Sequence, residues 1–253
     1  MLKNIQIEGF KSIRKLELDL KTINILIGAN GVGKSNFISF LKLINIIFEQ
    51  GLEQYSLKEG VDNLLYFGRK YTNEIVGYLE FDSGNAYSFE LAPTSVGTLF
   101  IPIERSIYYN TSLESEYKQL DTKNLRESYI KDSPRARDEY LRKHLESYKV
   151  YHFHDTGITS PLRSRANIND NKLLRENGSN LPSYLYYLMQ VFPKAFKRIE
   201  KTVASTAPFF KEFQLRPMAL DPDYILLEWI EKDHEEMYFN ATHLSDGSLR
   251  FIA

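Results

Sequence analysis

The sequence predicts an α/β fold carrying an added antiparallel β subdomain and a helical lobe, on three observations. A nearly unbroken apolar run over 23–28 passes through a glycine-rich turn into apolar residues at helical spacing. Short stretches of period-two alternation stand before that run and return from Glu74 onward. Charged residues at helical spacing, with almost no glycine, then fill 111–150. An apolar run with no wet face suits a strand covered on both sides, whereas alternation suits a strand with one face in water.

Taken in order, "LKNIQIE" over 2–8 and "LELDL" over 16–20 alternate and predict a hairpin turning around Phe10 to Arg14. "INILIG" then predicts a central strand, and Phe37, Ile38, Leu41, Ile44 and Phe48 predict the helix that follows. "EIVGYLEF", "AYSFELA" and "TLFIPIE" predict a small meander, its first turn at 82–85 rich in residues that tolerate unusual backbone angles. The spacing over 111–150 predicts a helical insertion, and "YKVYHFHDT" a strand ending at His154 and Asp155. Asn180 and Pro182 mark a helix start, and Pro193 kinks or restarts that helix before "KAFKRIEK". "YILLEWIE" and "EMYFNATHL" alternate as strands before "SDGSLRFIA" opens a last helix. The expected organisation is one body over 1–253, divided into a loop-and-meander lobe (1–110), a helical insertion (111–150) and a lobe from 151 to 253.

Composition narrows the partners. The 32 Lys and Arg against 33 Asp and Glu leave a net charge of −1, so the whole-molecule field does not attract nucleic acid and any DNA contact needs a local basic patch. With no cysteine the chain has no disulfide, thiol nucleophile or thiolate metal site, which fits a reducing compartment, and five scattered histidines offer little for zinc. The longest greasy stretch, 41–48, is broken by Lys42 and Asn45, and the N-terminus lacks a signal-peptide pattern, so a cytoplasmic location without a membrane partner is expected.

Gly28, Ala29, Asn30, Gly31, Val32, Gly33, Lys34 and Ser35 satisfy the phosphate-loop pattern of glycine, four residues, glycine, lysine and serine. Glycines let the backbone curl so that amides point at phosphate oxygens, and the following helix adds the positive end of its dipole. Lys34 is placed to reach the β- and γ-phosphates, and the Ser35 hydroxyl to ligate a bridging Mg²⁺; ATP and Mg²⁺ are the expected cofactors.

Kinases, GTPases and DNA-repair ATPases share that loop, so the branch must come from elsewhere. "HLSDGSLRF" near the C-terminus resembles the signature motif of ABC-type ATPases, with Ser245 and Gly247 matching, Asp246 in place of the usual first glycine and Ser248 in place of the usual glutamine. The opening segment, through "GANGVGKSN" and Asn36, resembles the SMC, RecF and OLD branch. "VYHFHDT" and "ENGSNLPSYLYYL" extend the likeness to bacterial single-body ATPases related to OLD, a group that includes the PtuA ATPase of Septu and retron-associated anti-phage systems.

The resemblance implies an ABC-type ATPase head that dimerises head to tail, with Ser245 and Gly247 of one copy facing the nucleotide of the other. It puts Lys11 and Ser12 in a hairpin approaching the nucleotide, where a solvated turn is the competing account, and His154 and Asp155 where the branch has its Q-loop. It further implies an effector nuclease, as an HNH-type partner chain, in phage defence. In that branch an apolar strand ending in aspartate and glutamate follows the signature helix, so hydrolysis is expected to draw on a glutamate after Ala253; a degenerate half that binds ATP without turnover is the alternative. A RecF-like or SMC-like repair ATPase and a non-hydrolysing nucleotide-dependent scaffold are the competing functions. DNA contact would fall to Lys194, Lys197, Arg198 and Lys201 on one helix and to Arg163 and Arg165 in a polar loop, although a solvated helix face explains the same charges.

Overall fold

The computed structural model describes residues 1–253 except 83, 111–114, 137 and 154, and except the side chains of 109, 110, 115–121 and 235. The chain forms two compact units, Met1–Val150 and Tyr151–Ala253. The fold is mixed α/β with one large antiparallel sheet.

In the first unit β1 (Leu2–Phe10) and β2 (Ile13–Asp19) form the expected hairpin, with Ile7 opposite Leu16 and Phe10 opposite Ile13. Alternation decides which face is dry: Ile5, Ile7 and Phe10 are fully buried, while Gln6 and Glu8 between them are not. The helix α1 (Lys34–Phe48) lays Phe37, Phe40, Leu43, Ile44, Ile47 and Phe48 into the same core. Each such side chain contributes about 1.5–3 kcal/mol when fully buried. The buried stripe is rotated from the expected one, for Ile38 stands 36% exposed. Phe40 meets Phe10 edge-on at 5.4 Å and stacks on Phe89 at 6.0 Å, which roots α1 in the sheet.

After α2 (Leu52–Glu59) and the short α3 (Val61–Leu64), the meander β3 (Ile75–Phe81), β4 (Asn85–Pro93) and β5 (Leu99–Asn110) extends the sheet. A further strand, β6 (Ser115–Leu125), completes the order β2-β1-β3-β4-β5-β6. The helical insertion expected over 111–150 is therefore corrected: 115–125 is a sheet-edge strand, and the main helix in that stretch is α4 (Asp138–Ser147). Sheet edges favour charged residues, which discourage pairing with other chains, so charge density there marked an edge rather than a helix surface.

The central strand expected at 23–28 is also corrected. The chain is irregular there, and Ile23, Ile25 and Ile27 are 79%, 77% and 89% exposed. Among the described residues 22–28 joins no strand and makes no backbone-to-backbone hydrogen bond; the Asn24 side chain, which accepts from Lys21 N and donates to Lys21 O, fixes its start. The described residues of the strand expected over 148–155 form no strand either; His152 N donates to Glu176 O at 2.8 Å.

In the second unit β7 (Ala166–Asn167) precedes α5 (Leu181–Val191) and α6 (Pro193–Thr206). Phe192, at φ −129° and ψ 59°, ends the one helix and starts the other, since Pro193 has no N–H with which to continue the first. There follow β8 (Phe210–Phe213), β9 (Pro217–Met218), β10 (Asp221–Ile225), β11 (Glu228–Glu231), β12 (His234–Asn240) and α7 (Asp246–Ile252). The strand read as "YILLEWIE" is divided between two small sheets, β7-β10-β9 and β12-β11-β8. Phe196, Val203, Phe210, Phe213, Trp229 and Leu249 form this unit's own core. Among the described residues no helix is long and apolar enough to cross a membrane.

Candidate functional site

The loop over 28–33 curls because Gly31 and Gly33 take φ of 86° and 98°, a region costly for residues with a Cβ. A Cβ on Gly31 would meet nothing within 4 Å, so that side of the curl is open. Gly33 is the N-cap of α1; no side chain caps the helix and no acidic residue sits in its first turn. The first amides of α1 thus point out of the helix without a side-chain acceptor, beside the positive end of a fifteen-residue dipole.

Lys34 bends back over this curl, its Nζ donating to the carbonyl oxygens of Gly28 and Ala29 at 2.7 Å each. Both acceptors are neutral. Ser35 is exposed, and its carbonyl accepts from Ser39 Oγ. Asn36 Nδ2 donates to Ser12 Oγ at 2.6 Å, and that hydroxyl lies 3.4 Å from where a Cβ on Gly33 would stand. The turn between β1 and β2 is therefore in contact with the loop through Ser12. Lys11, at φ 49°, faces otherwise: its ammonium lies 5.6 Å from the Phe10 ring centroid and its N–H donates to Leu64 O.

The second unit holds the other candidate residues. Ser245 is the N-cap of α7, its Oγ accepting from Ser248 N at 3.1 Å and lying 2.9 Å from Ser248 Oγ. Gly247 stands in the first turn of that helix. Asp155 is exposed and accepts from Gly157 N at 3.1 Å, a local turn-forming contact; His154 lies outside the described residues.

One residue of this neighbourhood is more enclosed than its polar loop suggests. Arg163, read as part of a basic patch, has a side chain only 8% exposed. Its Nε donates to Thr156 O at 2.9 Å, Nη1 to the carbonyls of Ala241 and Leu244, and Nη2 to Leu244 O at 3.1 Å and Asp246 Oδ1 at 3.0 Å. Arg165 pairs with Asp221 at 2.7 Å and lies over the Tyr224 ring. On α6, Lys194, Lys197, Arg198 and Lys201 are exposed, and Lys197 pairs with Glu200 at 2.7 Å. The patch thus loses Arg163, whose donors are engaged within the fold.

Helix amides without a side-chain cap, an ammonium resting on neutral carbonyls and an exposed serine hydroxyl form one donor set at the end of a core-anchored helix. That set fits the phosphates of a nucleotide and, through Ser35, a magnesium ion completed by phosphate oxygens. It defines a phosphate-loop nucleotide-binding protein. The family model for the AAA ATPase domain, AAA_15, matches residues 1–190, and the chain belongs to that family. AAA ATPase domains are nucleotide-dependent ATPases that generally bind ATP and Mg²⁺. No curated protein matches the chain.

Proposed function

We propose that this chain is an ABC-type head of the SMC and OLD kind, which binds ATP and Mg²⁺ at 28–36 and closes head to tail on a second copy, and that closure regulates an effector nuclease in anti-phage defence. The observation carrying the reading is the donor set of Lys34 and the uncapped start of α1. Lys34 exchanges its two carbonyl partners for phosphate oxygens, the amides at 31–35 hold the same anion, and Ser35 offers its hydroxyl to the metal. Asn36, fixed by Ser12, keeps the turn between β1 and β2 against the loop. In the closed pair, Ser245 and Gly247 of one copy face the phosphates held by the other, and Asp155 lies on the side that senses them.

The test is equilibrium binding of a fluorescent ATP analogue, followed by sedimentation with and without nucleotide. Lys34→Ala is expected to weaken binding at least tenfold, and wild type to double its mass only with ATP. Unchanged affinity in Lys34→Ala would refute the site, and an ATP-independent mass would refute the closure.

A further inference from the structure

We propose that Arg163 is a positioning residue that fastens the turn at 155–160 to the turn at 241–246, so that the two shift as one piece and a displacement at Asp155 reaches Ser245. The proposal rests on the head-to-tail reading above, and it adds a regulatory link within the second unit.

The contacts carry it. Three backbone carbonyls from two distant segments, Thr156 on one side and Ala241 and Leu244 on the other, accept from one guanidinium. Leu244 immediately precedes Ser245, and the only carboxylate in the set is Asp246, immediately after it. The N-cap residue of α7 is thus held from both neighbours by the same side chain. Thr156 is 3% exposed, and its hydroxyl accepts from Arg250 Nη2 at 3.3 Å, a second tie between the 155–160 turn and α7. Within that turn Ser160 Oγ donates to Asp155 O and also caps the next short turn by accepting from Leu162 N.

The chemistry explains why arginine stands here. A planar fork of five N–H donors can serve the four acceptors gathered here, whereas an ammonium has three donors and no fork. A guanidinium this enclosed is costly unless its donors are engaged, so neither turn can leave without stranding a charge. Asp246 also acquires a reason: the position where the resembling motif has glycine here supplies the anion that neutralises Arg163.

The experiment uses the full-length protein in three forms: wild type, Arg163→Lys and Asp246→Ala. Asp246 is 64% exposed, so its truncation leaves the core intact. In both variants, binding of the fluorescent ATP analogue is expected to stay within twofold of wild type, while ATP-dependent self-association weakens at least fivefold. In Arg163→Lys, hydrogen exchange is expected to quicken together in the amides of 156–163 and 244–249. Wild-type association in both variants, or loss of protection in one segment alone, would overturn the proposal. Absence of ATP-dependent association in wild type itself would instead overturn the head-to-tail reading, with the exchange experiment still judging the fastening.

Discussion

Gly9 and Gly97 show how differently a single methyl group can act. Both sit in the left-handed region, at φ 73° and 85°, but a Cβ on Gly9 would fall 2.3 Å from Glu74 O, whereas Gly97 has nothing within 4 Å. Gly97→Ala is expected to cost about 1–2 kcal/mol, the backbone penalty alone. Gly9→Ala adds overpacking and is expected to cost about 2–5 kcal/mol in urea unfolding; equal costs would refute the distinction. Asp62 gives a pH effect of definite sign. Its side-chain and backbone hydrogen bonds with Arg69 lower its carboxyl pKa from 3.8 to about 2. A depressed acid stabilises the fold above its unfolded pKa, and that support fades as pH falls from about 4 towards 2. Asp62→Asn should therefore flatten the melting-temperature profile in that window only; an unchanged slope would count against the pair. At this scale the loop residues were legible because their chemistry is contiguous in sequence. Arg163 was not, because most of its acceptors are backbone carbonyls, which any residue carries, and two of them lie 78 and 81 residues away.

The N-cap of α2 is Gly51, which has no side chain to cap the helix. Glu127, arriving from beyond β6, supplies the cap: its two carboxylate oxygens accept from Leu52 N and Glu53 N at 2.9 Å each. Capping amides with a carboxylate also favours the helix dipole, so Glu127→Ala is expected to cost about 1–2 kcal/mol and Glu127→Gln less, as read from chemical unfolding. Equal stability of the three proteins would refute the cap. The same comparison of local and distant partners explains which elements could be read in advance. The hairpin, the meander and the helix over 34–48 follow from periodicity, and the helices over 181–191, 193–206 and 246–252 from cap residues and prolines. The run at 23–28 failed the test because apolar composition records a preference for burial without naming what does the burying. For 115–125 the misleading signal was charge, which an edge strand and a solvated helix share.

At the scale of the molecule, each unit owns a core, and the segment between α4 and residue 156 carries no regular structure among its described residues. Lys149 is exposed within it, so brief trypsin digestion is expected to cut there first and leave two protected fragments; first cleavage inside α1 or α6 would contradict the division. A last consequence follows from the uncovered isoleucines. The phosphate loop resembles a cantilever: its Lys34 end is bolted to six buried side chains of α1, while its Gly28 end hangs from a stretch whose isoleucines stand in water. An anion settling into the loop must immobilise that free end, an entropic charge of about 1–2 kcal/mol for each residue fixed. Anything that clamped Ile23, Ile25 and Ile27 beforehand would bear that charge first and tighten nucleotide binding without touching the nucleotide.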